Sequence, residues 1–146
     1  MAAAENEPKL LIQQLKPFYD VVTPLSWPLV RMTVGLIFLP IFWTKWTNGF
    51  DSVVAIMVKW GISPAGPFAV VIMLNESVAA VCVALGLFTR FFAASITIQM
   101  GVIVYLMFGN GYNAYRFFLL WGLVMLAVAL RGGGPYSLDR KIGREL

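Results

Sequence analysis

The chain has 146 residues, of which 60% are hydrophobic and 12% are charged, and its formal net charge is +4. A soluble domain is nearer half apolar and a quarter charged, so the composition predicts an integral membrane protein with one membrane domain. The chain has no histidine and a single cysteine, Cys82. Within one chain this excludes imidazole-ligated haem, a multi-cysteine iron–sulfur cluster, a zinc site of histidine and cysteine, and an internal disulfide.

Residues 1–24 are predicted to form an amphipathic segment that lies at the membrane interface as an anchor, which is favoured over docking to a partner. Three of its apolar side chains share one helical face: Leu11, Leu15 and Phe18. Pro17 is expected to kink or end a helix here, and Thr23 and Pro24 are expected to break the chain. Ser26 is then the expected N-cap of the next helix.

The first membrane helix is predicted at about 27–46. Steps of three or four residues place two cations, a glycine and two rings on one stripe of it: Arg31, Gly35, Phe38, Phe42 and Lys45. Each cation alone can snorkel to an interface. Because they share a stripe with a glycine, we expect the stripe to face the bundle interior.

The first loop contains a short helix by its pattern. Its apolar residues are spaced as one helical face: Phe50, Val53, Val54, Met57 and Trp60. Asp51 and Lys59 lie off that face. The pattern predicts an interfacial amphipathic helix, which either lies on the bilayer or folds back as a lid over the mouth of the bundle.

Three further apolar stretches are each about long enough to cross a bilayer: 68–88, 91–108 and 114–131. Thr89 and Arg90 leave a very short turn between the first two, which predicts an antiparallel hairpin. The expected fold is therefore an all-α, four-helix transmembrane bundle over residues 25–131, followed by a glycine-rich, basic tail at 132–146.

The distribution of cations predicts the topology of the four spans. The side that holds both tails and the second loop has seven Lys and Arg residues, against three on the other side. The seven are Lys9, Lys16, Arg90, Arg131, Arg140, Lys141 and Arg144, and the three are Lys45, Lys59 and Arg116. Cytoplasmic segments are enriched in Lys and Arg, so both termini are predicted to be cytoplasmic. The positive charge indicates lipid headgroups rather than nucleic acid.

Glu76 stands near the middle of the second span, with Asn75 beside it. A charged side chain at that depth costs about 2.5–3.5 kcal/mol, so it is expected to face the bundle and to have a partner. Gln99 is expected at a similar depth on the next helix, within reach of a hydrogen bond. Arg31 and Lys45 are each roughly 10 Å away in depth, and the spacing does not choose between them. The carboxyl either locks two helices together or handles a ligand or a proton.

The residues after the last span combine glycines with an aromatic ring, a hydroxyl and a carboxyl: Gly133, Gly134, Tyr136, Ser137 and Asp139. Glycine readily takes the left-handed conformation, so the run that starts at Gly132 is expected to end the last helix. The hydroxyl or the carboxyl then caps a last helical turn, which is favoured, or the tail docks on a cytoplasmic surface.

The ordered set of these features resembles the DoxX family of small four-helix bacterial membrane proteins. The matching residues are Arg31 with the following Gly35-Leu-Ile-Phe38, Lys45, Glu76, Gly86-Leu-Phe-Thr-Arg90 and Gly132-Gly-Gly-Pro-Tyr-Ser-Leu-Asp139. The resemblance covers about residues 25–139. Family members often carry a histidine and a glycine just before the lysine, where this chain reads Phe42-Trp-Thr-Lys45.

The resemblance implies a multi-pass subunit of the bacterial cytoplasmic (inner) membrane that is associated with oxidoreductases. Some relatives act in thiosulfate oxidation with quinone as the acceptor, and others act in oxidative-stress complexes. The first hypothesis is therefore a quinone-linked redox subunit that depends on a partner. Its polar pocket would hold Glu76, Arg31, Lys45, Gln99 and Asn75 among the aromatic residues Phe38, Phe42 and Trp121.

Two other functions stay open at this point. Small size and the lack of cofactor ligands suit a non-catalytic accessory or scaffold subunit of a larger membrane complex. Intramembrane Glu, Arg and Gln suit transport of protons or of a small solute, although four helices make a thin wall for alternating access. The expected partners are the lipid bilayer and either other membrane subunits or further copies of the chain.

Overall fold

The structure, a computed structural model, describes residues 11–143, apart from the side chains of Ile41 and Phe42. Over this range it consists of helices and their connections: α1 Lys16–Thr47, α2 Phe50–Lys59, α3 Ala65–Leu85, α4 Thr89–Met107, α5 Tyr112–Arg131 and α6 Leu138–Ile142, with 3-10 turns at Gln13–Leu15 and Phe108–Asn110. Four helices, α1, α3, α4 and α5, are long and apolar enough to cross a membrane. The prediction of an all-α, four-helix membrane bundle is confirmed.

The predicted break at Thr23 and Pro24 is wrong, because α1 is one helix of 32 residues that includes Pro24, Pro28 and Pro40. Pro17 falls in its first turn, where the missing N–H has no partner to lose. Within membrane helices, hydroxyl side chains help to satisfy the backbone around prolines. Ser26 Oγ donates to the carbonyl of Thr23 at 2.7 Å, so this serine bonds within a continuous helix instead of starting one.

The core of the bundle lies where α1, α3, α4 and α5 converge. Its fully buried members are small and branched residues with two methionines and one phenylalanine: Val34, Phe38, Ala79, Ala80, Val83, Ala93, Ile96, Met100, Ile103, Met125 and Val128. Phe38 of α1 meets Trp121 of α5 edge-on, with ring centroids 5.5 Å apart. Residues Arg31, Gly35 and Phe38 are all buried, which confirms that their stripe faces inward.

Helix α1 is displaced along its axis relative to the other three. Trp27 Nε1 donates to the carbonyl of Gly132, so Trp27 lies level with the end of α5. Near the other end of α1, Trp46 Nε1 donates to Ser77 Oγ, in the middle of α3. Residues 16–26 of α1 are all exposed. At 1.5 Å per residue they extend about 16 Å beyond Trp27.

The short helix α2 fills the space that this displacement leaves beside the first half of α3. Its buried Val53 and Met57 pack against Ala69 and Met73 of α3. The amphipathic pattern of the first loop therefore forms a helix, and that helix folds back on the bundle.

One end of the bundle holds the α3–α4 turn, the C-terminal end of α5 and the short helix α6. The prediction that this end is cytoplasmic rests on the charge count, and two of the seven counted cations, Lys9 and Arg144, lie outside the described residues.

Candidate functional site

An ion pair between α1 and α3 lies in the middle of the bundle. Lys45 Nζ donates to both carboxylate oxygens of Glu76, at 2.7 Å and 2.5 Å. Gln99 Nε2 of α4 donates to Glu76 Oε1 at 2.6 Å. The predicted bond between Glu76 and Gln99 is present, and Lys45 is the cation that Glu76 meets. Glu76 and Lys45 therefore form a direct salt bridge, and no gap separates these two side chains.

A chain of polar side chains on α3 and α4 continues from Gln99. Ser95 Oγ donates to Asn75 Oδ1 at 2.7 Å, and Asn75 Nδ2 donates to Gln99 Oε1 at 2.8 Å. The amide donors of Asn75 and Gln99 both point toward Glu76, which accepts the last bond. The single proton of the Ser95 hydroxyl is shared between Asn75 Oδ1 and the carbonyl of Phe92 at 2.8 Å. An ionised carboxylate only accepts hydrogen bonds, so the arrangement suits the charged form of Glu76. Amides do not readily lose a proton, so this chain holds and orients the carboxylate rather than conducting protons away from it.

The close approach of α1 and α3 at Gly35 brings the two charges together. A Cβ atom at Gly35 would lie 2.7 Å from Ala84 Cβ and 2.8 Å from the carbonyl oxygen of Ala80. Small residues at such a contact let two helix backbones approach closely. From this contact, Lys45 lies ten residues further along α1 and Glu76 lies eight residues back along α3. Because the two helices are antiparallel, both steps lead in the same direction in space. The same contact therefore determines the axial displacement of α1, which is why Lys45 lies level with Glu76 and not about 10 Å away in depth.

The two members of the pair differ in exposure. The Glu76 side chain is 4% exposed, whereas the Lys45 side chain is 28% exposed. An ammonium group carries three N–H donors, and two of those of Lys45 are directed to the carboxylate. The third donor has no partner among the described residues. Next to it, Trp46 bonds Ser77, whose hydroxyl donates to the carbonyl of Met73 beneath α2.

Two of the three aromatic residues predicted for the pocket, Phe38 and Trp121, lie in the hydrophobic core. Phe38 is 2% exposed and belongs to the hydrophobic core, where Trp121 is partly buried against it. The predicted contribution of Phe42 lies outside the described side chains.

Arg31 is not part of this site. It is 2% exposed, and its Nη1 donates to the carbonyl of Gly133 at 2.6 Å, with a longer bond of 3.5 Å from Nη2 to the carbonyl of Tyr136. Along α1 it is roughly 21 Å from Lys45. The displacement of α1 that brings Lys45 to Glu76 carries Arg31 to the end of the bundle, so these three residues do not form one pocket.

Arg31 bonds a second site, at the end of the bundle. Here residues 132–139, which we call the clasp, fold against the α3–α4 turn and the start of α4. The carboxylate of Asp139 accepts bonds from Phe88 N at 2.6 Å, Thr89 N at 3.0 Å and Thr89 Oγ1 at 2.7 Å. It thereby caps α4, which begins at Thr89. Phe88 has φ +46°, a left-handed conformation that costs a non-glycine residue energy and that the bond to Asp139 holds in place.

The clasp depends on glycine where backbones and side chains crowd together. A Cβ atom at Gly86, where φ is +74°, would overlap the Arg31 guanidinium. At Gly133 it would lie 2.7 Å from Ser137 Cβ, and at Gly134 it would overlap the Trp27 indole. Gly133 and Gly134, which the sequence predicted to cap or dock, are therefore packed closely against Ser137 and Trp27 of the same chain.

Ser137 and Asp139 of the tail act as helix caps. Ser137 Oγ accepts a bond from Arg140 N and so caps α6, while Asp139 caps α4. Both are 2% exposed, whereas Tyr136 is 67% exposed. The sequence carried no signal for the bond between Asp139 and Thr89, because the two residues are 50 positions apart. Ser95 had a signal, since it lies four residues before Gln99 on one face of a helix.

A family model for DoxX matches residues 26–109, which is more than half of the chain. The chain belongs to the DoxX family. The matched part of this DoxX protein includes the ion-pair site at Lys45, Glu76 and Gln99, and it ends before α5 and residues 132–139. With its four apolar helices, the DoxX chain is a multi-pass membrane protein. No curated protein and no solved structure matches it.

Proposed function

We propose that this DoxX protein is the membrane subunit of a quinone-linked redox system, and that the Lys45–Glu76 site binds the carbonyl of a quinone headgroup. The observation that carries the proposal is Lys45 itself: its side chain is 28% exposed at the depth of the bundle middle, and its ammonium bonds Glu76 while one of its three donors has no partner among the described residues. A pair that served only to lock two helices would be expected to bury both partners. Here the carboxylate is enclosed and the cation is left open.

The chemistry of a quinone fits this donor. A quinone is apolar apart from its carbonyl oxygens, which accept hydrogen bonds, so it can reach a site inside the bilayer without the cost of a charge. The ammonium of Lys45 can donate to one such oxygen and stabilise the negative charge that grows on it during reduction. Glu76 orients the ammonium, and Gln99 holds Glu76 in place. The chain has no histidine and one cysteine, so we propose that a partner subunit supplies the electrons.

The experiment is to purify the protein in a mild detergent, extract bound quinone, and titrate added quinone against Trp fluorescence, since Trp46 adjoins Lys45. Wild-type protein should retain quinone. A hydrogen bond to a charged group contributes about 1.5–3 kcal/mol, so Lys45→Met should weaken binding by about tenfold or more. Glu76→Gln should also weaken it, because Lys45 then loses its orienting partner. Lys59→Met, which removes an exposed cation from α2, is the matched control and should bind as wild type does. Unchanged affinity in both site variants would refute the proposal.

A second candidate, an accessory subunit of a larger complex, is supported by one other observation. The exposed stretch of α1 before Trp27 carries large apolar side chains beyond the end of the bundle, among them Phe18, Val21 and Leu25, which are 59%, 67% and 48% exposed. Such a stretch suits contact with another subunit. If native gel electrophoresis after gentle extraction shows the chain alone, this candidate loses its support.

We further propose that the membrane is the bacterial cytoplasmic membrane and that the clasp end faces the cytoplasm. The charge count supports this orientation. Labelling of cysteines introduced at exposed positions of α2 and α6 in intact cells tests it. An α6 cysteine that reacts with an impermeant reagent from outside would reverse the orientation.

A further inference from the structure

The clasp end of the bundle carries a group of exposed cations. Arg131 is the last residue of α5, and its guanidinium lies over the Trp27 ring at 4.5 Å. Arg140 and Lys141 are exposed on α6, next to the buried Asp139. Arg90 lies at the same end, where its guanidinium donates to the carbonyl of Leu130 at 2.9 Å.

The acidic group of the clasp does not neutralise this surface. Asp139 is 2% exposed, and its carboxylate is directed inward to the start of α4. The exposed positive charge of Arg131, Arg140 and Lys141 therefore faces outward without an acidic partner in the clasp. Beyond the clasp, on the projecting part of α1, Asp20 and Lys16 are both exposed. At the opposite end of the bundle, the exposed cations Lys59 and Arg116 share the surface with Asp51.

Exposed apolar side chains stand among these cations. Leu130 is 70% exposed, Tyr136 67% and Ile142 59%. Leu130 continues the lipid-facing surface of α5 up to Arg131. Aromatic and apolar residues mixed with Lys and Arg at the end of a membrane helix are typical of the headgroup region, where the apolar parts contact acyl chains and the cations contact phosphates.

We propose that the clasp end is a binding surface for anionic phospholipids, whose headgroup phosphates bind Arg131, Arg140 and Lys141. The mixture of cations with apolar side chains, continuous with the lipid-facing surface of α5, favours a lipid over a soluble anionic partner. Because Arg140 and Lys141 follow directly on Asp139, a bound lipid holds α6 in place and stabilises the clasp. The surface is separate from the Lys45–Glu76 site and does not depend on quinone binding.

The test measures thermal unfolding of the full chain in detergent micelles that contain either phosphatidylglycerol or phosphatidylcholine. Phosphatidylglycerol should raise the unfolding temperature in a saturable way, and phosphatidylcholine should not. Each Lys or Arg at an anionic surface contributes about a fivefold change in affinity. The triple variant Arg131→Gln/Arg140→Gln/Lys141→Gln should therefore need about a hundredfold more phosphatidylglycerol for the same effect.

The matched control is Lys59→Gln/Arg116→Gln, which removes two exposed cations from the other end and should respond to phosphatidylglycerol as wild type does. Should the triple variant fail to fold, Lys141→Gln alone must still shift the titration by about fivefold, and salt must weaken the wild-type effect. Three outcomes would overturn the proposal. They are an equal response to both lipids, a wild-type response in Lys141→Gln and the triple variant, and full stabilisation by inorganic phosphate alone, which would assign the cations to a soluble anion.

Discussion

The ion-pair site and the clasp both bury charged side chains, but they satisfy them differently. In the clasp, Arg31 donates to main-chain carbonyls, and two of the three bonds that Asp139 accepts come from the main-chain amides of Phe88 and Thr89. In the ion-pair site, the partners of Glu76 are the side chains of Lys45 and Gln99. Main-chain partners are part of the fold and cannot be exchanged without disturbing it. Side-chain partners can rotate, and one of them is partly open, so the ion-pair site is the region where a ligand can compete.

The largest effect that this comparison predicts is at Asp139. Asp139→Ala removes the carboxylate that caps α4, and it leaves the amides of Phe88 and Thr89 and the hydroxyl of Thr89 without their acceptor. The lost cap and the unpaired donors should together cost about 3–5 kcal/mol of unfolding free energy, measured by denaturation in a mild detergent. Asp51→Ala, at an exposed carboxyl in the first turn of α2, should cost less than about 1 kcal/mol. A similar small loss for both variants would show that the clasp does not stabilise the fold.

The next effect concerns the glycine beside Arg31. Gly86→Ala places a side chain on a residue with φ +74° and pushes it against the guanidinium. The two effects together should cost about 2–4 kcal/mol of unfolding free energy. The control is Gly101→Ala in α4, where a Cβ atom meets nothing within 4 Å. That variant should be neutral or more stable by up to about 1 kcal/mol, because alanine favours a helix over glycine. Equal stability of the two variants would contradict the crowding at Gly86.

A double-mutant cycle on Lys45→Met and Glu76→Gln tests the other region. Lys45→Met leaves the buried carboxylate of Glu76 without its cation and should cost about 2 kcal/mol of unfolding free energy. Glu76→Gln removes the counter-charge of the partly exposed Lys45 and should cost less, about 1–2 kcal/mol. The double variant should cost less than the sum by about 1–2 kcal/mol, since neither charge is then left alone. Quinone binding should be weakened in all three variants. Additive costs would mean that the two residues do not interact in the membrane.

The smallest expected effect joins the two regions. Gly35→Ala inserts a methyl group at the contact between α1 and α3, close to Ala84, and should cost about 1–2 kcal/mol of unfolding free energy. Because this contact sets the position of Lys45 relative to Glu76, quinone affinity should also fall. Gly101→Ala again serves as the control. If Gly35→Ala bound quinone with wild-type affinity, the contact between α1 and α3 would not control the geometry of the Lys45–Glu76 site.

The sequence by itself determined the features that depend on local composition and period. Four apolar stretches are long enough to cross a bilayer, whatever their packing. Helical spacing puts Arg31, Gly35 and Phe38 on one face, and a glycine on that face favours close packing against a neighbour. A short turn after the second span forces an antiparallel hairpin, and this brings Gln99 to the depth of Glu76. The sequence predicts that turn at Thr89 and Arg90, whereas the structure has it at residues 86–88 and starts α4 at Thr89.

Only the tertiary structure decided which cation meets Glu76, how the tail folds, and that α1 continues through Pro24. The position of one helix along another is determined by the contact of particular side chains, here Gly35 on Ala84, and a periodic pattern carries no information about it. The cap of α4 by Asp139 likewise joins residues 50 positions apart. Local spacing predicts faces and depths within one helix, whereas the axial offset between helices depends on the packing of the whole bundle.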